Sequence, residues 1–299
     1  MPGASRSRGP GGIPIAPALE QARQEVKTLQ RPVVDTSSIR RVGYLGPEGT
    51  WTHQATLDLF AQGVELLPFA DGLFKAYEDG TVDAICAPVA TSLVGATPYL
   101  DDILALRAPV IVAEYPKMLS YSLIATRQAT FDSIRKVVGH KVALDEIGAW
   151  LDVHMPNVDR EARHGATAFV ASRNSPALAS IGPGLGAKLF DLQQVRTGIE
   201  EGIHNVTRWW VLGRNCPLPT GRDRTSVHLK SLEAEFMDVL NALSEHNASV
   251  LNIYQRPTRA QLDAHQYVID IAGHRAHPGL DFLREIRSAR ILGSYPRAY

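Results

Sequence analysis

The sequence predicts an α/β protein in two unequal parts: an alternating strand–helix unit over residues 39–215 and a smaller β-α-β-β-α-β unit over residues 222–299. Three observations carry that prediction. Strand-like and helix-like pieces alternate from Arg41 onward, and such alternation builds a sheet with helices on its faces. A stretch punctuated by two prolines and a glycine, Arg214–Gly221, then interrupts the pattern and reads as a linker. Beyond it the element order is ferredoxin-like.

Taken in order, residues 1–38 form an N-terminal extension. Its first dozen residues are small, basic and rich in Gly and Pro, too poor in apolar surface to order themselves. Leu19, Ala22, Val26 and Leu29 have helical spacing, so a short amphipathic helix is expected over Ala18–Gln30. Arg41–Leu45 reads as a strand, Thr52–Gln62 as a helix, Glu65–Phe69 as a strand, Gly72–Asp79 as a helix and Ala84–Val89 as a buried strand. Further strands are expected at Pro109–Ala113, Tyr121–Ala125 and Lys136–Val138, with helices at Asp145–His154 and Thr167–Ser172. After the linker, strands are expected at Thr225–Leu229, Val250–Tyr254, Gln266–Ile271 and Ala289–Leu292, with helices at Glu235–Glu245 and Asp281–Arg287.

The chain has 299 residues, 44% hydrophobic and 21% charged, which suits a globular protein of about two domains. Lys and Arg number 31 and Asp and Glu number 31, so there is no basic excess of the kind that binds phosphate backbones, which argues against nucleic acid as a partner. No apolar stretch approaches the roughly 18–20 residues of a membrane span, and the N-terminus lacks the apolar centre of a signal peptide. The expectation is a cytoplasmic protein. Cys86 and Cys216 match no metal or redox spacing and are expected to be two buried thiols. His140, His164 and His204 show no ligand spacing, so no metal is expected.

Two segments carry candidate chemistry. Gly46–Thr52 joins a strand to a helix, where backbone donors and the positive helix end can cradle a carboxylate or phosphate; a tight turn capped by Thr50 or Thr52 fits the same residues. Thr207–Leu212 opens with a hydroxyl and a guanidinium and runs into a bulky apolar strand. That suits an anionic substrate, Arg208 binding a carboxylate and Thr207 passing a proton, although an Arg in a surface ion pair beside a core Trp pair also fits. Gly182–Gly186 reads as a plain loop, because Pro183 removes a donor.

Together these pieces resemble the prephenate dehydratase family. Gly43–Ala55 is similar to its opening Gly-Pro-x-Gly-Thr-Phe-Ser/Thr motif, and Asn205–Trp209 to its Asn-x-Thr-Arg-Phe motif with Trp for Phe. Gln255–Pro257 and Ile291–Arg297 are similar to the ACT domain of the same enzymes. The resemblance implies a two-lobed, periplasmic-binding-protein-like (type II) catalytic domain followed by an ACT domain that pairs subunits into a homodimer or homotetramer. It implies a carbon–oxygen lyase that takes a small dicarboxylate, without cofactor, to an arylpyruvate in phenylalanine or specialised aromatic biosynthesis. Thr207 would be the proton donor and Arg208 would orient a carboxylate. Thr50, Trp51, Thr52, Thr91, Ser92, His140, Glu146 and Asn205 would line the substrate site.

The family's Pro-Ile-Glu-Asn-Ser is Pro88–Ser92 here, with Ala90 and Thr91 in place of Glu and Asn; the Ser of its Ser-His-Pro-Gln loop is Gly139, and the Gln seven residues later is Glu146. A lost buried hydrogen bond costs about 1–3 kcal/mol, so the pocket is chemically rebuilt. Three readings stay open on the sequence: a dehydratase acting on prephenate or a close analogue, a non-aromatising prephenate decarboxylase, and a catalytically silent binding or regulatory protein. In the C-terminal unit Glu-Ser-Arg-Pro is Tyr254–Pro257 and Gly-Ala-Leu is replaced around Glu233–Phe236. Weak or absent phenylalanine inhibition is therefore expected.

Overall fold

The computed structural model describes residues 34, 35, 37–60, 63–200, 205–230, 233–258, 260, 262 and 264–299, with only the backbone at 233–235. The expected N-terminal tail and the helix over Ala18–Gln30 lie outside the described residues.

The first lobe contains β1 (Arg41–Leu45), α1 (Trp51–Leu59), β2 (Glu65–Phe69), α2 (Leu73–Glu78), β3 (Ala84–Thr91), β4 (Gly95–Ala96), α3 (Tyr99–Ala105) and β5 (Ile111–Met118). The second contains β6 (Ser122–Ala125), β7 (Lys136–Gly139), α4 (Lys141–Glu146), α5 (Gly148–His154), β8 (Asp159–Ala162), α6 (Ala166–Arg173), β9 (Leu178–Gly182), α7 (Gly184–Leu189) and β10 (Gln193–Thr197). The chain then returns through β11 (Val206–Leu212), which enters the first sheet between β3 and β5, antiparallel to both. That sheet runs β2-β1-β3-β11-β5 with β4 on β3, and the second runs β10-β6-β9-β7-β8. The chain therefore crosses between two lobes twice, at residues 119–121 and between β10 and β11, as the expected two-lobed α/β architecture requires.

The C-terminal unit contains β12 (Asp223–Leu229), α8 (Glu233–Glu245), β13 (Val250–Pro257), β14 (His265–Ala272) and β15 (Ala289–Pro296), in sheet order β13-β14-β12-β15, all antiparallel. This is the ferredoxin-like arrangement with one correction. The helix expected over Asp281–Arg287 is a 3₁₀ segment, Pro278–Arg284, capped by His277. Its tighter repeat stacks Leu280 and Leu283, three residues apart, onto the buried core under the sheet.

Other corrections have local causes. Gly182–Gly186 is not a plain loop: β9 ends at Gly182 and α7 begins at Gly184. The helix expected over Asp145–His154 is divided at Ile147 into α4 and α5. Strands β8 and β10 went unread because they lie at the two edges of the second sheet and spell Asp-Arg-Glu-Ala and Gln-Gln-Val-Arg-Thr, without an apolar run. Cys86 is fully buried and its thiol is pushed up to about 12 by that burial, whereas Cys216 is only partly covered and donates to Ser294 O at 3.3 Å.

The C-terminal unit has a core of its own and also packs on the first lobe. Leu73, Ile85 and Trp210 of the first lobe share one apolar cluster with Val268, Leu292 and Tyr295 of the C-terminal unit. Close approach is required at Gly293, where a Cβ would fall 2.2 Å from Ile111 O of β5.

Candidate active site

Between the lobes lies a cleft of about 650 Å³. Its first wall is the strand–helix turn ahead of α1. Thr50 has extended backbone and its Oγ1 accepts from His53 N at 3.2 Å, so the turn is capped as one of the two sequence readings supposed. Trp51 and Thr52, the first residues of α1, line the cleft, and their backbone N–H groups are among those a helix leaves without intrahelical partners. The Thr52 hydroxyl accepts from Trp209 Nε1 at 3.2 Å. Trp51 lies with its ring 4.8 Å from that of Tyr121, and its buried indole N–H has no partner among the described residues.

The opposite lobe approaches this turn closely. A Cβ on Gly186 would lie 3.0 Å from Thr167 and 3.2 Å from Gly49 O, so the glycine that seemed a mere loop residue lets α7 sit against the α1 turn.

β11 forms the floor. Successive residues of a strand point to opposite faces, and Thr207 and Trp209 line the cleft while Arg208 does not. Thr207 is 5% exposed, and no hydrogen bond to its hydroxyl occurs among the described residues. Thr91, its partner on β3, also lines the cleft and caps the following turn by accepting from Val94 N at 3.1 Å.

Arg208 corrects the sequence expectation. Its guanidinium lies on the far face, 4% exposed, with every N–H engaged. Nε donates to Glu114 at 2.8 Å; Nη1 donates to Asp270 at 2.6 Å and Tyr254 at 3.1 Å; Nη2 donates to Tyr295 at 2.9 Å and meets Glu114 at 2.8 Å. No donor is left for a substrate carboxylate. The alternative sequence reading, an ion pair beside the Trp residues, is the one the geometry favours, except that the pair is buried between the catalytic sheet and the C-terminal unit.

Ser92 and Glu146 also stand off the lining. Ser92 Oγ accepts from Val206 N at 2.9 Å and Ser92 N donates to Val206 O at 2.9 Å, which ties β11 to the end of β3. Glu146 sits behind two lining residues, one from each crossover: it accepts from the Tyr121 hydroxyl and from Asn205 Nδ2, the latter at 2.6 Å. Asn205 Nδ2 also donates to the Tyr121 oxygen at 3.0 Å.

Burial pushes the Glu146 carboxyl above its ordinary 4.5, the two hydrogen bonds offsetting part of the rise. The folded state thus holds that proton more tightly than the unfolded chain, and stability attributable to the carboxyl falls as pH rises from 4.5 through the raised value. Glu146→Gln is expected to raise the melting temperature at pH 8, with a gain that shrinks toward pH 5. A shift of equal size at both pH values would contradict this.

His140 lines the cleft as expected, its ring centroid 5.0 Å from that of His164. Both residues are exposed, but burial by the surrounding walls and then the neighbouring imidazole hold His140 below the usual histidine value. No group of three or more potential metal ligands occurs among the described residues. The sequence reading missed Tyr121, Arg163 and His164. Tyr121 sits in a strand-like run and the other two in a loop before α6, with no motif to distinguish them.

Residues 42–217 match the family model for prephenate dehydratase. The chain belongs to that family. It is 30% identical over 268 residues to the bifunctional chorismate mutase/prephenate dehydratase of Pseudomonas aeruginosa, covering 86% of this chain and 73% of that one. It is 31% identical over 274 residues to the prephenate dehydratase of Amycolatopsis methanolica, covering 86% and 89%. The solved prephenate dehydratase of Arthrobacter aurescens, a complex with L-Phe, superposes with TM-score 0.77 at 25% identity over 86% of this chain and 90% of that one. Against the family's opening motif, Thr50, Trp51 and Thr52 line the cleft, and of the Asn-x-Thr-Arg motif Asn205 and Thr207 do so.

Proposed function

We propose that the chain is a prephenate dehydratase, removing the ring carboxylate and the para hydroxyl of prephenate to give phenylpyruvate, carbon dioxide and water. The observation that carries this reading is Thr207, whose hydroxyl lies in the cleft wall, free of partners among the described residues, on the strand that returns between the lobes. As electrons from the breaking carbon–carboxylate bond enter the ring, the C4–oxygen bond breaks and the departing hydroxyl takes a proton. Thr207 donates that hydrogen bond and proton, and solvent returns the proton to its oxygen. Aromatisation supplies the driving force, so the protein's main tasks are orientation and one proton transfer. Trp51 and Thr52 supply uncharged donors around the ring.

Residues 39–215 form the catalytic part in this reading, and residues 222–299 an ACT domain through which subunits would pair as a dimer or tetramer. No helix among the described residues is long and apolar enough to cross a membrane, and a cytoplasmic location fits a biosynthetic enzyme. The changes at Tyr254–Pro257 and near Phe236 support weak or absent phenylalanine inhibition.

The test is incubation of the full chain with prephenate and identification of the product by mass and absorbance. Phenylpyruvate is expected. A decarboxylated product that keeps its hydroxyl, or binding without turnover, would overturn the reading.

A further inference from the structure

The charges around the cleft are unevenly distributed. Among the described residues that line it, Arg163 is the one Lys or Arg, and it belongs to the second lobe beside His164 and His140. Glu48, the one carboxylate among the described lining residues, lies on the first lobe's turn. Arg163 is incompletely neutralised. Its Nε and Nη2 meet a single oxygen of Glu161 at 2.8 and 2.7 Å, while the other oxygen of Glu161 pairs with Lys136 at 3.3 Å. One carboxylate thus serves two cations, and Arg163 Nη1 has no partner among the described residues. The guanidinium also stacks on the Phe169 ring at 4.1 Å, which fixes its plane.

Resting on the dehydratase reading, we propose that Arg163, with His164 and His140, receives the carboxylate of the substrate's 2-oxo acid side chain, the one retained in the product. The chemistry distinguishes the two carboxylates. The ring carboxylate loses its charge as it departs, so a cation bound to it would stabilise the ground state more than the transition state. The side-chain carboxylate stays charged throughout, and a cation can hold it without slowing the reaction. The cationic end of the cleft therefore suits the retained group. The α1 end, which offers neutral hydroxyls and amides beside Glu48, suits the group that must leave. His140, held below its usual titration range by its surroundings, serves as a neutral N–H donor beside the guanidinium.

Phenylpyruvate carries the retained carboxylate and lacks the ring one, so it probes this subsite alone. Calorimetric titration of the full chain is expected to show phenylpyruvate binding that weakens at least about tenfold in Arg163→Gln and is largely restored in Arg163→Lys, a change of about 1.4 kcal/mol for tenfold. With prephenate, Arg163→Gln should raise KM about tenfold while kcat changes less than about threefold, the pattern of binding shared equally by ground and transition states. His164→Asn should move KM in the same direction. Equal phenylpyruvate affinity in wild type and Arg163→Gln, absence of phenylpyruvate binding to the wild type, or a kcat loss without a KM change would each overturn the proposal. Phenylpyruvate binding that depends on Arg163 in a protein that does not turn over prephenate would uphold the subsite and overturn the dehydratase reading instead.

Discussion

Thr207→Ala is expected to lower kcat for prephenate by roughly 10²–10⁴-fold, the usual contribution of a positioned proton donor, with KM little changed. The substitution removes one hydroxyl and one methyl from a residue whose backbone stays locked between Thr91 of β3 and Lys117 of β5. No partner among the described residues loses a hydrogen bond, so the melting temperature should hold. Thr207→Ser keeps the donor and should keep most of the rate. Steady-state kinetics with a thermal melt on each variant separates a chemical defect from a folding one. A Thr207→Ala enzyme within about tenfold of wild type would remove the assigned role.

Asp270→Asn is expected to give the largest loss of stability. Behind the floor of the cleft lie two guanidinium groups, Arg208 and Arg224, and two carboxylates, Glu114 and Asp270, all at most 4% exposed. Asp270 Oδ2 accepts from Arg208 at 2.6 Å and Arg224 at 3.1 Å, while Oδ1 accepts from Ser226 Oγ at 2.5 Å. Glu114 Oε2 meets Arg224 at 3.3 Å and Oε1 accepts from Ala298 N at 3.0 Å. The four charges balance, which makes their burial tolerable. Neutralising Asp270 leaves a net positive charge in a closed interior, and breaking such a network costs about 3–5 kcal/mol. At roughly 2–4 °C per kcal/mol, the melting temperature should fall by on the order of 10 °C. A drop under about 2 °C would show that the cluster relaxes without strain. Because Arg208 directly follows Thr207 in β11 and its contacts come from β5, β13, β14 and β15, docking of the C-terminal unit fixes the backbone that carries the proposed donor.

Much of the site is legible in the sequence, but three expected residues, Arg208, Ser92 and Glu146, stand off the cleft lining. The strand–turn–helix motif before α1 and the Asn-x-Thr motif that leads into β11 both line the cleft. Arg208 failed for a reason already present in the sequence. Adjacent residues of a strand cannot face the same side, so if Thr207 lines the cleft Arg208 must turn away from it. Trp209 shares the face of Thr207 and Trp210 that of Arg208, and a period-two reading of Thr207–Leu212 would have assigned all four.

The strand–helix alternation, the ferredoxin-like order of the last part and the two motifs are readable from the residues alone, because these depend on periodicity and local turn chemistry within short windows. Edge strands such as β8 and β10 escaped, since a half-exposed strand need not repeat an apolar pattern. The partners of the charged side chains emerge only once the chain is folded. Folding brought Tyr121, Glu146 and Asn205 together from two crossovers and a helix, paired Arg208 with an acid on β14, and left Arg163 sharing Glu161 with Lys136 at the cleft. Charge compensation and burial join residues far apart in the chain, and no local pattern records those distances.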